Sequence, residues 1–199
     1  MTTRSDLRAS LRIRLEDPIP NPLWSDAMLH DFLREALHRF SARVPAQRSE
    51  TIVATGGEHV LPLSGPAVER DIVRVHVPNG NLLPHTVEGD RAGGWSFWNG
   101  ALLLNLGAAA GSWHIDYLAL RDLPTDDVTP LDLPTGDDEI VVLHAASSAL
   151  LRRSVESGKR GMESSSLALV RVAEAYERAA DSLLRARFRR AVGSTFAAT

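Results

Sequence analysis

Seven histidines are the first residues of this chain that could bind a metal ion or act as a general base. None falls in the helical pairs or short clusters that metal sites use, and His30 and His38 lie too far apart on one predicted helix to bind one ion. The chain has no cysteine, which excludes disulfides, thiolate nucleophiles and thiolate metal sites. His144 lies on the apolar face of another predicted helix, which favours a buried histidine with a partner. We therefore expect no metal, no cofactor and no catalytic residue.

Hydroxyl and carboxylate groups also lack a catalytic pattern. Serines 164–166 have no glycine-flanked elbow and stand ahead of Leu167, a position typical of helix caps. The aspartates of residues 121–139 do not follow calcium-loop spacing, and prolines interrupt them, so a solvated loop is predicted. Three glutamates have no partner at a spacing that predicts a carboxylate pair, which argues only weakly against a glycosidase: Glu35, Glu88 and Glu163. We expect that the protein is not an enzyme.

An aromatic strand precedes the Asn99-Gly100 turn. In strand alternation Trp95 and Phe97 face one side and Trp98 faces the other, so one aromatic side chain should be partly exposed. An exposed tryptophan could stack on a sugar or a base, or fill a pocket of a partner, whereas a cross-strand core pair is the alternative. Trp95 and Trp98 are therefore the hypothetical partner-contact residues.

Helical periodicity marks the elements that would position these residues. Residues 24–40 predict a buried amphipathic helix, which Ser25 caps and which Trp24 staples onto Leu29. A short first helix is predicted behind Ser5-Asp6. Two further helices are predicted over residues 140–155 and from residues 163–166 to about residue 191. Arginines 185, 187, 189 and 190 crowd the end of the last helix, where cations offset the helix dipole.

Alternating periodicity predicts an all-β lobe from residue 51 to residue 120. Gly56-Gly57 suits a hairpin turn between residues 50–55 and 58–63. The Pro78-Asn79-Gly80-Asn81 turn should join residues 71–77 to residues 82–87. Asn99-Gly100 should join residues 95–98 to residues 101–106, and a last strand should cover residues 112–120.

The predicted fold class is α+β, a bundle of about four helices with a long C-terminal helix, interrupted by an antiparallel β-hairpin or meander lobe. The predicted domains are N-terminal helices in residues 1–48, the inserted β lobe in 49–121, an acidic proline-rich crossing loop in 122–138, C-terminal helices in 139–192 and a flexible tail in 193–199.

Bulk composition excludes several classes of protein. With 44% hydrophobic and 24% charged residues, the chain can bury a core and has no long apolar run, so no membrane span is expected. The first fourteen residues contain no apolar signal core, which predicts that the protein stays in the cytosol where it is made. A net charge of −3 argues against a broad basic face that grips nucleic acid.

The order of these signals resembles the head-to-tail adaptor (connector or head completion) proteins of tailed bacteriophages and gene transfer agents. The likeness spans nearly the whole chain, and its motifs are structural. It is carried by residues 11–17, 23–26 and the helix that ends near Phe40, by 58–63, by 75–83 with their turn, by 102–104 and 114–117, and by Leu133-Pro134 before the helix over 139–153.

The resemblance implies a structural virion protein. Copies would form a ring, commonly of twelve, under the portal ring at the capsid vertex, and would be found in the host cytoplasm before assembly. The ring would extend the DNA channel without binding DNA specifically and would offer a platform to the next tail component, a stopper or tail tube or nozzle. Trp95 and Trp98 would be candidates for that contact. The C-terminal helix and tail of such proteins reach the portal, and the matching positions here are Arg185, Arg187, Arg189, Arg190 and Phe196.

Two other functions remain open on the residues alone. One is a carbohydrate-binding or cell-wall hydrolytic protein that uses the aromatic hairpin near Trp98 together with a remote carboxylate pair. The other is a cytosolic scaffold protein with an unrelated partner. All three functions need only a stable body and an interaction surface, so residue chemistry does not choose among them.

Overall fold

The computed structural model of the chain describes residues 2–66, 68–86 and 93–196, and for residues 189–196 it describes the backbone only. The described part contains four α-helices, six strands in antiparallel sheets and a 3-10 turn at Glu69–Asp71, which confirms the predicted α+β class with a long last helix. The helices are α1 (Arg4–Arg14), α2 (Asp26–Arg43), α3 (Asp138–Lys159) and α4 (Glu163–Phe196), and the strands are β1 (Ala46–Ala54), β2 (Val60–Pro62), β3 (Ile72–His76), β4 (Trp95–Trp98), β5 (Ala101–Leu104) and β6 (Gly111–Ala119).

The chain divides into two compact units. Met1–Arg43 together with Arg121–Thr199 form a helical unit, and Val44–Leu120 form a β unit inserted into it. Arg121 begins the return to the helical unit beside the end of α2, where its backbone N–H donates to Ser41 Oγ at 3.0 Å. Its guanidinium lies 5.4 Å from the centre of the Phe40 ring. The two segments of the helical unit that flank the insertion are therefore adjacent to each other.

Local capping sets the starts of the first two helices. Thr3, and not Ser5 as the sequence suggests, caps α1, because Thr3 and Asp6 form a reciprocal capping box. Ser25 Oγ accepts from the Met28 N–H at 3.3 Å at the start of α2, as predicted. Trp24 is buried and packs edge-on against Phe32, with ring centres 5.5 Å apart.

Helix α3 forms the centre of the helical unit. Nearly every side chain from Ile140 to Leu150 is buried, including small residues that let α1, α2 and α4 approach closely. The apolar face of α2 packs here, with Leu29, Leu33, Leu37 and Phe40 fully buried. His144 is buried as predicted, and its Nδ1 lies 3.0 Å from Glu177 Oε2 of α4.

Helix α4 is longer at its end than the periodicity predicts. It continues to Phe196, past the expected end near residue 191 and into the predicted tail. No proline interrupts this segment, and Gly193 only weakens a helix without forbidding it. Residues 197–199 of the predicted tail lie outside the described part.

Two three-stranded antiparallel sheets build the β unit. One has the strand order β1-β6-β3, and the other has the order β2-β5-β4. Alternate residues from both sheets meet in one apolar cluster, which makes the unit a small sandwich. Its central side chains include Leu61, Val75, Trp95, Leu102 and Ile115.

One predicted hairpin is wrong. Residues 50–55 and 58–63 do not pair, because β1 pairs along its whole length with β6 and β2 pairs with β5. Gly56 and Gly57 do adopt positive φ angles of 109° and 90°, so the turn is present. It carries the chain from one sheet to the other, and the nine-residue register between β1 and β6 outweighs the local hairpin.

The two other predicted turns both form, but only the Asn99-Gly100 turn joins two strands. Asn99 and Gly100 have φ angles of 48° and 78°, and they join β4 to β5 as predicted. The turn at residues 77–81 also forms, with a hydrogen bond of 3.0 Å from the Val77 N–H to the Asn81 carbonyl. In its described part, the strand expected after it is reduced to two isolated bridges, from Leu82 to His76 and from His85 to Trp95, and Pro84 between them has no N–H to extend a ladder.

Candidate functional site

The arginines at the end of α4 have different surroundings. Arg185 is exposed and takes part in no salt bridge within the described part of the chain. Arg187 Nε lies 2.7 Å from Asp137 Oδ2, and the Asp137 side chain is only 9% exposed. Arg187 therefore holds α4 against the start of α3. The remaining predicted portal contacts, Arg189, Arg190 and Phe196, lie outside the residues whose side chains are described.

The aromatic hairpin separates its two tryptophans. Trp95 is buried, and its Nε1 donates to the Leu83 carbonyl at 3.2 Å. Trp98 is 74% exposed on the opposite face of β4. The prediction that alternation leaves one aromatic exposed is confirmed, and of the two tryptophans of this hairpin Trp98 is the accessible one.

A row of arginines on α1, which sequence reasoning missed, forms the main ionic network of the helical unit. Arg4 and Arg8 both bind Asp127 of the crossing loop, at 2.7 and 2.9 Å. Arg12 binds Asp26 at 2.5 Å and the buried Asp17. The signal was available in the four-residue spacing of the arginines, but their partners are distant in sequence.

This network is structural, because each cation already has a carboxylate. Hydrogen bonds from Arg8 and Arg4 lower the pKa of Asp127 to about 2. Burial lowers the pKa of His30, whose Nε2 lies 2.9 Å from Arg8 Nη1. Most side chains of the crossing loop are exposed or half-buried, and Asp127, whose side chain is 39% exposed, attaches the loop to α1.

The half of the α3–α4 pair nearest the turn between the two helices buries fewer side chains than the rest of the helical unit. After Leu150, the only buried side chains of α3 are Ser154 and Ser157, and the first buried side chain of α4 is Ala173. We call residues 151–172 the helical projection, a helix pair in which few side chains are buried.

Serines form the seam of the helical projection. Ser166 Oγ donates to the Ser154 carbonyl at 2.9 Å, and the Met162 N–H donates to the Ser157 carbonyl at 3.0 Å. Residues 164–166 thus lie inside α4, and Ser166 faces α3 instead of capping its own helix. Leu169 and Val170 are half-buried, whereas five other apolar side chains of the projection are between 42% and 61% exposed: Leu151, Val155, Met162, Leu167 and Val172.

Polar pairs in the β unit are spread over exposed surface. Thr51 Oγ1 lies 2.9 Å from His114 Nδ1, and His85 Nε2 lies 2.8 Å from Glu69 Oε1, both in exposed positions. Neither pair is enclosed in a site that would exclude water, which a nucleophile and its base normally need. Within the described ranges, no group of three or more His, Asp or Glu side chains could hold a metal ion. None of the described helices is long and apolar enough to cross a membrane.

Comparison with the models of known protein families finds no match to this chain, and comparison with curated proteins finds none either. The surfaces on the molecule are therefore the guide to its function. They comprise Arg185 near the end of α4, the exposed Trp98 and the exposed apolar side chains of the helical projection.

Proposed function

We propose that this chain is a structural assembly protein that works through protein contacts. Within that class, we propose a head-to-tail adaptor whose copies form a ring between the portal and the tail of a phage-like particle. The support comes from the helical unit with its β insertion, from the long last helix, and from the sequence resemblance described above.

The observation that carries this proposal is the length and burial of α4. The helix has 34 residues, which corresponds to about 51 Å at 1.5 Å per residue. Its buried side chains, among those described, are Ala173, Ala180 and Leu184, all in the middle of the helix. Arg185 is exposed near the C-terminal end of α4 and makes no salt bridge in the described part of the chain, so it can supply a charge to a contact with another protein.

The charge balance supports a channel that lets DNA slide. The chain has a net charge of −3, and several of its arginines are neutralised by carboxylates within the helical unit. Strong phosphate contacts would hold DNA in place, since each one adds affinity. A weakly negative ring would extend the portal channel without trapping DNA.

The test is to mix the purified protein with the portal ring encoded beside it and to image the mixture by electron microscopy. A second ring stacked on the portal is expected. A chain cut after Ala191 should lose this attachment while the circular dichroism of the helices is kept. A bare portal across a range of pH and salt, with the protein folded, would overturn the proposal.

A matched pair of charge reversals tests the end of α4. Arg185→Glu should weaken portal attachment by about tenfold or more, as expected for loss of a charge pair at an interface. Arg178→Glu is the control, because Arg178 lies on the same helix with its side chain 72% exposed and pairs only loosely with Glu174 at 3.7 Å. Equal portal attachment by both variants would show that Arg185 does not take part in the contact.

The exposure of Trp98 favours a second candidate function, glycan binding. A tryptophan that is 74% exposed at a hairpin end presents an aromatic face on which a sugar ring can stack. Binding to cell-wall or surface glycans that disappears in Trp98→Ala, with β-unit folding unchanged, would support it. An absence of glycan binding by the wild-type chain would exclude it.

A further inference from the structure

The helical projection has its apolar and polar residues in reversed positions. A stable pair of helices buries apolar side chains between them, whereas here the seam is made by Ser154, Ser157 and Ser166. The leucines, valines and methionine listed above point outward. Within residues 151–172 the buried side chains are those of Ser154 and Ser157, and Leu169 and Val170 are half-buried. Two helices that bury so little apolar surface gain little stability from their own contacts, so the exposed apolar surface is suited to being covered by another protein.

The projection is also basic. Residues 151–172 contain five basic and two acidic side chains, a net charge of +3. Arg153, Lys159, Arg160 and Arg171 make no salt bridge in the described part of the chain, and Arg152 lies 3.9 Å from Glu156. A surface that fits the projection should therefore be both apolar and acidic.

The β unit of the same chain has such a surface on the β2-β5-β4 sheet. The register places Pro62, Ala101 and Trp98 in one row and Val60, Leu103 and Ser96 in the next, all on the face opposite the core residues Leu61, Leu102 and Trp95. Five of these six outer residues are apolar. Val60, Pro62 and Trp98 are exposed, and the other three are half-buried.

The surroundings of this sheet face carry negative charge. No lysine or arginine occurs in residues 49–69 or 92–120. Glu58 stands just before β2, where its carboxylate accepts from the Gly56 N–H at 2.7 Å. Glu69 lies beside β4 and accepts from the Phe97 N–H at 3.0 Å. The β unit as a whole has four basic and seven acidic residues, a net charge of −3.

We propose that the helical projection of one copy packs on the outer face of the β2-β5-β4 sheet of a second copy. Helices over an open sheet face form a standard packing layer, and the charges of the two surfaces are opposite. Because the two surfaces differ, the contact is head-to-tail, and such contacts close into rings when the rotation allows it. The inference rests on the proposed function in that it names the contact between ring subunits, but its test needs no portal.

The absence of cysteine from the chain allows a direct test. Val155→Cys and Val60→Cys are made as separate proteins, one with a small tag, mixed at high concentration and treated with a short bifunctional maleimide. The mixed dimer should exceed both homodimers at least fivefold. Ala27→Cys, at an exposed position of α2, replaces Val155→Cys in the control mixture. A mixed dimer no more abundant than in that control would overturn the proposal, as would a dominant Val155→Cys homodimer.

A charge reversal provides the second measurement. Arg160→Glu in the Val155→Cys protein should reduce the mixed dimer several-fold, whereas Arg178→Glu, outside the projection, should leave it unchanged. An equal yield from the two reversals would refute the charge complementarity. The two proposals can fail separately. If a ring stacks on the portal but the cross-link does not form, only the proposed contact between copies is refuted. If the cross-link forms but the portal stays bare, only the adaptor function is refuted.

Discussion

The carboxylate of Asp127 binds arginines on two successive turns of α1. Its oxygens accept from Arg4 Nε at 2.7 Å and from Arg8 Nη2 at 2.9 Å. These hydrogen bonds, with that of Arg8 the largest cause, lower the pKa of Asp127 from 3.8 to about 2. Since the unfolded chain binds a proton more readily than the folded one, the contribution of Asp127 to stability is present above pH about 4 and is lost as the pH falls towards 2.

We therefore expect the free energy of unfolding to fall between pH about 4 and about 2, and to fall less steeply in Asp127→Asn. Urea unfolding at a series of pH values measures this slope. Asp122→Asn is the matched control, because it removes a carboxylate of the same loop and leaves the Arg4 and Arg8 pairs intact. An Asp127→Asn slope equal to that of the wild type would show that the network contributes nothing.

Arg187 and Arg185 should contribute differently to the free energy of unfolding. Arg187→Ala leaves the carboxylate of Asp137 nearly buried without its cation, which should cost about 1–3 kcal/mol of unfolding free energy. Arg185→Ala should change it by less than about 0.5 kcal/mol, because Arg185 is exposed. Urea unfolding of both variants measures the difference. Similar midpoints for the two would contradict a role for Arg187 in holding α4 to α3.

At the scale of elements, the β4–β5 hairpin depends on the backbone of its turn. Gly100 has a φ of 78°, and a Cβ there would meet no atom within 4 Å, so Gly100→Ala tests backbone strain alone. We expect a loss of about 1–2 kcal/mol. Asn99→Gly should be tolerated to within about 0.5 kcal/mol, because glycine adopts the same φ without strain. Thermal or urea unfolding checks both, and a neutral Gly100→Ala would refute the assigned turn.

At the scale of the whole molecule, the β unit is an insertion between two segments of the helical unit that are adjacent to each other. Ser41 Oγ and the Arg121 N–H are 3.0 Å apart, so a linker of about five glycine and serine residues should join Arg43 to Arg121. A chain with residues 44–120 replaced in this way should remain helical and unfold cooperatively.

Circular dichroism and urea unfolding of that shortened chain provide the measurement. A non-cooperative transition would show that the helical unit needs the β unit in order to fold. In the cross-linking test, the shortened chain with Val155→Cys should still label the Val60→Cys full chain, because it keeps the helical projection.

Short-range patterns alone determined much of this molecule. The apolar stripe of α2, the cap at Ser25, the Asn99-Gly100 hairpin and the burial of His144 all follow from residues a few positions apart. Such features depend on local hydrogen bonds and on the periodicity of one element, which the sequence displays directly. The alternation that left Trp98 exposed belongs to the same group.

Tertiary structure alone decided which strands pair, which charges are neutralised and which apolar residues remain outside. The pairing of β1 with β6, the Arg8–Asp127 and Arg187–Asp137 pairs, and the serine seam of the helical projection join residues that are well separated in the chain. Their partners are chosen by the packing of whole elements, for which a local pattern has no signal. For the same reason, clustered arginines at the end of α4 looked equivalent in the sequence, although Arg187 is bound to Asp137 and Arg185 is exposed.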